Sequence, residues 1–312
     1  MTTMLFSHPL CAAHKVPAHL PEHAARLAAI FRALDAPSFA RLERRQPAPA
    51  TLEDIALAHS PAHIEKVMAL IPTEGYWALD DDTIVSPQSG EAALAAAGCV
   101  LAAVEAVMGG AARNAFCAVR PPGHHAGREI VGGFCLFNNL AIGALAAQAR
   151  FGVKRVAIVD FDVHHGNGTQ DIFWNNPDVF FASLHQQGIF PGSGAASETG
   201  VCDNVLNLPL PSGATGTLLR GVFAERVLPR LAAFKPELIM VSAGFDGHRD
   251  DPLAGWQLAE EDDGWLATAL VKAAQDSCSG RLVAILEGGY NLEALGASVA
   301  AFMKPMLDED AE

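Results

Sequence analysis

Short apolar runs alternate along the chain with longer, alanine-rich stretches of helical spacing. The apolar runs are AFCAV (115–119), RVAIVD (155–160), FFASLH (180–185), ELIMVSAG (237–244) and RLVAILEGG (281–289). They are continuous rather than alternating, which predicts strands buried on both faces. The helical stretches are 22–34, 89–108, 138–150, 215–233 and 259–278. Strands separated by helices in this way predict an α/β protein with a parallel sheet covered on both sides. No repeat and no linker breaks the pattern, so residues 1–312 read as one domain, with 305–312 as a frayed acidic end.

Polar residues stand at the ends of four of these five apolar runs. His124 and His125 follow the first, Asp160 to His165 the second, Asp246 the fourth and Tyr290 the last. In open parallel sheets, ligands bind beyond the carboxyl ends of the strands. Asp160, Asp162 and His164 occupy every second position in VDFDVHHGNG, so they share one side as the chain leaves its strand. A carboxylate and an imidazole so spaced can both reach a divalent metal, and Asp246 in SAGFDGHRDDP offers a third ligand. Mixed Asp/His ligation suits a catalytic zinc or iron(II) better than a structural zinc. The bland alternative is a helix cap and a loop lining. A cap needs one such residue, not three, and charges at a buried strand end are costly without partners.

The turn RPPGHHAG (120–127) stiffens the approach to His124 and His125, which could divide proton transfer from electrostatic work. A pair of surface histidines is the competing reading. Tyr290, after Gly288 and Gly289, could donate to an oxyanion or merely cap and pack. GGFCLFNN (132–139) is either a loop entering the core or an apolar channel wall with an exposed glycine carbonyl. His8, His14, His19 and His23 read as surface or structural, and Gly166 and Gly168 lack nucleotide-binding spacing.

Charge and cysteine usage narrow the field. A formal net charge of -14 argues against a phosphate-backbone binder, so no nucleic-acid partner is expected. It leaves cationic amines open as substrates. The 6 scattered cysteines, none in a C-x-x-C pair, predict free thiols in a reducing compartment. The N-terminus lacks the pattern of a signal peptide, and the alanine-rich segments read as interrupted short of a membrane span. A soluble cytoplasmic protein is expected.

RPPGHHA, GGFCLFNN, VDFDVHHGNGT, SLHQ, FPGSG, SAGFDGHRDDPL and EGGY occur in that order. Together they resemble the zinc-dependent histone deacetylase family, including bacterial histone-deacetylase-like amidohydrolases and acetylpolyamine amidohydrolases. The resemblance runs from about residue 5 to 305, and HGNG and GFD give it a class II-like character. It implies the arginase/deacetylase fold, with a central parallel eight-stranded sheet between helical layers.

The resemblance also implies roles at matching positions. Asp162, His164 and Asp246 would ligate zinc. His125 would be the principal base and later acid, with Asn167 orienting it. His124 would act electrostatically, held by Asp160. Tyr290 would polarise the scissile carbonyl, and the Gly133 carbonyl would accept the substrate amide N–H. Phe134 and Phe190 would line the acyl tunnel. Asp160, Asp162, His164, Ser183 and Leu184 would hold a structural potassium ion, and Phe173, Asn176 and Val179 a second one. The implied substrate is an acyl-lysine peptide or an acetylated small amine, and a homo-oligomer is compatible with the pattern.

Three departures matter. Asn167 stands where many class I members have Asp, which should let His125 ionise at lower pH. LPEHAARL (20–27) is a degraded form of the family's rim segment. Leu253 stands where the polyamine-specific relative has a gatekeeping glutamate. Two rivals remain: a two-manganese ureohydrolase of the same fold, which needs more bridging carboxylates, and a non-catalytic protein that keeps the pocket.

Overall fold

The computed structural model describes residues 2–308. Among these residues ten strands follow one another: β1 (Thr3–Phe6), β2 (Glu43–Arg45), β3 (Trp77–Ala78), β4 (Ile84–Val85), β5 (Asn114–Cys117), β6 (Val156–Asp160), β7 (Val179–Gln186), β8 (Val205–Leu210), β9 (Leu238–Ala243) and β10 (Leu282–Leu286). Eight of them form one parallel sheet, in the order β2-β1-β5-β10-β9-β6-β7-β8. The pair β3–β4 is a separate antiparallel hairpin.

The five apolar runs become β5, β6, β7, β9 and β10, buried at every position because helices cover both faces. The other three strands of the sheet carry weaker signals. Glu43–Arg45 is polar because it is an edge strand, where charge blocks further pairing. Val205–Leu210 holds Pro209 at the opposite edge, where a missing N–H is tolerated. Thr3–Phe6 has only 4 residues, too short to show a pattern.

Helices form close to the expected bounds, with three corrections. First, the stretch 215–233 is not one regular helix. It runs as Gly216–Val222, a π-helical turn Phe223–Val227, and Leu228–Phe234. Pro229 has no N–H to return to the preceding turn, and the wider turn absorbs the mismatch. Second, Ser89–Met108 is not interrupted short of a span: its 20 residues are long and apolar enough to cross a membrane by length and composition alone. Here it is a core helix, buried where it packs on Asn139–Phe151 and on the sheet. Gly98 lets the 48–50 segment lie against this helix, since a Cβ there would sit 2.3 Å from the Ala48 carbonyl oxygen. Third, Leu292–Leu307 stays helical through 305–307, and Arg113 donates to the Met306 and Asp308 carbonyls. The expected fraying therefore does not include these residues, and 309–312 lie outside the described ones.

Topology explains why the polar residues meet. The strands preceding His124, Tyr290, Asp246 and Asp162 are β5, β10, β9 and β6, which are consecutive neighbours at the centre of the sheet. Being parallel, they deliver their C-terminal residues to one edge.

Candidate active site

At the end of β6, Asp162 and His164 turn toward Asp246 beyond β9. His164 Nδ1 lies 3.1 Å from Asp162 Oδ1 and 3.1 Å from Asp246 Oδ2. One ligand-competent atom from each of the three residues falls within 4.8 Å of the others. The three side chains are buried. The cradle is built for close approach: a Cβ at Gly288 would sit 2.1 Å from Asp246 Oδ2, and one at Gly244 2.2 Å from Asp162 Oδ2. Two buried carboxylates around one neutral imidazole carry excess negative charge, which a divalent cation offsets. Burial resists charge on His164, yet its hydrogen bonds with Asp162 and Asp246 push it up to about 10. A proton there does the electrostatic work that a metal ion would do, so the donor set fits a divalent metal.

The tandem histidines stand beside this triad. His124 Nδ1 bonds Asp160 Oδ2 at 3.0 Å, and His125 Nδ1 bonds Asn167 Oδ1 at 2.7 Å. An amide oxygen only accepts, so His125 Nδ1 carries a hydrogen and its Nε2 holds the lone pair. Burial opposes a charge on His124, but Asp160 and Asp162 raise it to about 10. Burial instead pushes His125 well below the ordinary imidazole value, with His124 and His164 adding to the effect. The two rings are 3.8 Å apart between centroids, and their environments separate a charged histidine from a neutral one. The glycines of HGNG serve this packing rather than a phosphate: a Cβ at Gly166 would meet Asp160 Oδ2 at 2.2 Å, and one at Gly168 the Ala126 backbone at 2.3 Å.

A cavity of about 250 Å³ opens above these groups. Phe134 and Phe190 form its apolar walls, with Tyr290, Gly133 and Leu253 at its margin. The Phe190 ring meets His125 edge-on at 4.9 Å, and the Phe134 ring meets Tyr290 at 6.0 Å. Gly133 must be glycine: its φ is +53°, and a Cβ would strike His125 Cδ2 at 2.2 Å. A larger cavity of about 650 Å³, between Leu228–Phe234 and Glu260–Cys278, holds none of this chemistry.

The proposed potassium ligands have two different surroundings. Asp160 and Ser183 are partners in neighbouring strands, with Leu184 next in line, and Ser183 Oγ lies 3.0 Å from His185 Nδ1. The carbonyls of Phe173, Asn176 and Val179 do converge, but on Asn204 Nδ2, at 2.9, 3.1 and 3.1 Å. Asn204 carries no signal in sequence.

Beneath the cavity lies a charged floor. Glu22 and Arg26, in the segment read as a degraded rim, are completely buried. Arg26 donates to the Gly289 carbonyl at 2.7 Å and to Glu22 Oε1 at 2.9 Å, and stacks 5.0 Å from the Tyr290 ring centroid. Arg120 holds Glu22 through two contacts of 2.5 and 2.7 Å. Burial would raise the Glu22 carboxyl, but Arg120 and Arg26 bring it down to about 2. Glu287 Oε2 accepts from the Gly123 and His124 amides at 2.7 and 3.1 Å, tying the histidine turn to the Tyr290 loop. The i,i+4 spacing of Glu22 and Arg26 was the one legible trace of this floor.

A parallel sheet whose central strand ends bring together an Asp–His–Asp triad, tandem histidines and a tyrosine defines a hydrolytic deacetylase of the arginase/deacetylase fold. The histone deacetylase domain matches residues 20–306, and the chain belongs to that family, with a class II-like character. It is 41% identical to "Histone deacetylase 14, chloroplastic" of Arabidopsis thaliana, over 99% of this chain and 77% of that one. It is 43% identical to the "Histone deacetylase-like amidohydrolase" of Pseudomonas aeruginosa, over 81% of this chain and 67% of that one. The crystal structure of the HDA15 HD domain superposes with a TM-score of 0.90 at 35% identity, covering 98% of this chain and 89% of that one. Deacetylase, or amidohydrolase, activity is the function this family membership supports.

Proposed function

We propose that this chain is a zinc-dependent amidohydrolase that removes acetyl or other short acyl groups from an acyl-lysine peptide or an acetylated small amine. The observation that carries the reading is the Asp162–His164–Asp246 cluster facing His125 and Tyr290 across one apolar-walled cavity. Asp162, His164 and Asp246 would hold the ion. Bound there, zinc supplies Lewis acidity and makes water acidic enough to ionise near neutral pH; iron(II) could serve the same ligands.

The chain's own residues then divide the work. Phe134 and Phe190 enclose the acyl chain and exclude bulk water. The Gly133 carbonyl accepts the substrate amide N–H. His125 takes a proton from the attacking water at Nε2, the nitrogen left free by Asn167. The Tyr290 hydroxyl donates to the oxyanion as the carbonyl becomes tetrahedral. His125 then returns its proton to the departing nitrogen, leaving a free amine and a carboxylate. His124, kept charged by Asp160, stabilises the negative charge that develops beside it. Potassium at Asp160, Asp162, His164, Ser183 and Leu184 would offset the carboxylates near that charge. At Phe173, Asn176 and Val179 three carbonyls share the two hydrogens of Asn204 Nδ2, and a second potassium ion would be held by those same oxygens. Free thiols at all 6 cysteines suit a reducing compartment such as the cytoplasm.

Leu253 offers no carboxylate of its own, so the carboxylate lining the cavity for a distant ammonium is that of Asp82, and acyl-lysine and acetylated amines both fit. Steady-state hydrolysis of acetyl-, propionyl- and trifluoroacetyl-lysine peptides beside acetylated putrescine, cadaverine and spermidine tests the proposal, with chelator and zinc add-back. Chelator-sensitive turnover restored by zinc is expected. Turnover indifferent to chelator, or none with stoichiometric zinc, removes the reading. Asp246→Ala should bind no stoichiometric zinc by elemental analysis, and full metal content in that variant would exclude Asp246 as a ligand.

A further inference from the structure

Tyr290 follows two glycines, and Gly289 has φ +117°, so the preceding chain does not by itself hold the tyrosine in place. Arg26 holds the Gly289 carbonyl and covers the ring, and the carboxylate of Asp251 anchors the tyrosine's own N–H. Asp251 lies in the loop after β9, and only 7% of it is exposed. Its Oδ2 accepts from the Tyr290 N–H at 2.7 Å and the Asn291 N–H at 3.3 Å. Its Oδ1 accepts from the Leu253 N–H at 3.0 Å. The Asp251 N–H in turn donates to the His248 carbonyl at 2.9 Å. One carboxylate thus holds the backbone at two margins of the cavity: at the oxyanion donor and at the mouth residue Leu253. A carboxylate can accept along both oxygens at once, whereas an amide must turn its NH2 toward one set of N–H donors.

We propose that Asp251 is a positioning residue for the deacylation reaction, holding the Tyr290 hydroxyl over the scissile carbonyl and tying its placement to Leu253. The proposal rests on the amidohydrolase reading. It differs from a structural role in a measurable way, because its effect passes through Tyr290. Asp251→Asn should lower kcat about 10-fold, as a displaced catalytic group does, with zinc content near wild type. In a Tyr290→Phe background the same change should lower kcat less than about twofold, since the hydroxyl it positions is gone. Equal losses in both backgrounds would overturn the proposal.

A second readout does not depend on turnover. The chain has 2 tyrosines, and Tyr76 is 52% exposed. With ¹³Cζ-labelled tyrosine, Asp251→Asn should shift or broaden the Tyr290 resonance and leave that of Tyr76 in place. An unmoved Tyr290 signal would overturn the proposal. Should the zinc-loaded wild type fail to turn over any substrate, the amidohydrolase reading falls, and the resonance alone decides whether Asp251 positions Tyr290. If Asp251→Asn does not fold, Asp251→Glu takes its place, keeping the charge but displacing its oxygens by one methylene.

Discussion

The tandem histidines divide by their orienting partners, and that division is the most direct handle on the chemistry. His125 is oriented by a neutral amide, and burial among cationic neighbours keeps it below the ordinary imidazole value. A base must be deprotonated to act, so a low pKa keeps activity down to acidic pH. Asn167→Asp places an anion on Nδ1–H, favours the imidazolium and raises the pKa. The acid limb of the kcat/KM profile should therefore move up by roughly one pH unit. A limb that stays in place would show that another group governs it. Tyr290 is the complementary case. Tyr290→Phe removes one oxyanion donor and should cut turnover by about 100-fold or more, with zinc content and folding preserved. Near-native turnover would end its assignment.

At the scale of elements, the helix Glu260–Cys278 carries a conflict that pH should expose. Its first turn holds Glu260, Glu261, Asp262 and Asp263. Acids there suit the helix dipole, and Asp262 also accepts from the Ala259 amide at 2.9 Å and from Arg220 at 2.8 Å. At Asp263 a hydrogen bond with Ser298 pulls the carboxyl down, but burial outweighs it. Asp263 is 3% exposed, and burial, with Asp262 and Glu260 nearby, pushes it up to about 8. A raised folded pKa means stability present below the ordinary value of 3.8 and lost as pH climbs through about 8. Asp263→Asn should thus gain on wild type from near pH 4 and level off above pH 8, by about 1–3 kcal/mol. Urea midpoints measured across that range check the sign, and a flat difference would refute it.

The same scale shows what a sequence displays and what it conceals. Buried central strands appear as apolar runs, and ligands at their ends appear as alternation, so β6 with Asp162 and His164 is legible. The edge strands Glu43–Arg45 and Val205–Leu210 follow a different rule: they must resist pairing rather than be buried. The floor was hidden for another reason. Glu22 and Arg120 are 98 residues apart, and nothing in RPPGHH says that its arginine is buried against a glutamate from another segment. Asp251 was hidden because its partners are backbone N–H groups, which every residue possesses. The rigid geometry that makes the tyrosine and histidines effective lies largely in these contacts.

For the whole molecule, the long-range field is the feature with kinetic consequences. A formal net charge of -14 surrounds the site, and Asp82 brings one carboxylate to the cavity margin. Such a field draws cations toward the mouth before any specific contact forms. It decays over about 10 Å at 0.1 M ionic strength, so salt should weaken it. A monocationic substrate such as acetylated putrescine should therefore lose several-fold in kcat/KM between low and high ionic strength, roughly 50 and 500 mM. A capped, neutral acetyl-lysine peptide should change little, because its transfer into an apolar tunnel draws on no net attraction. Measuring both substrates in one salt series separates the field from any effect of salt on the metal site, which would act on both alike. Parallel slopes would show that the acidic surface plays no part in capture and that selection is made inside the tunnel, by Phe134, Phe190 and Leu253.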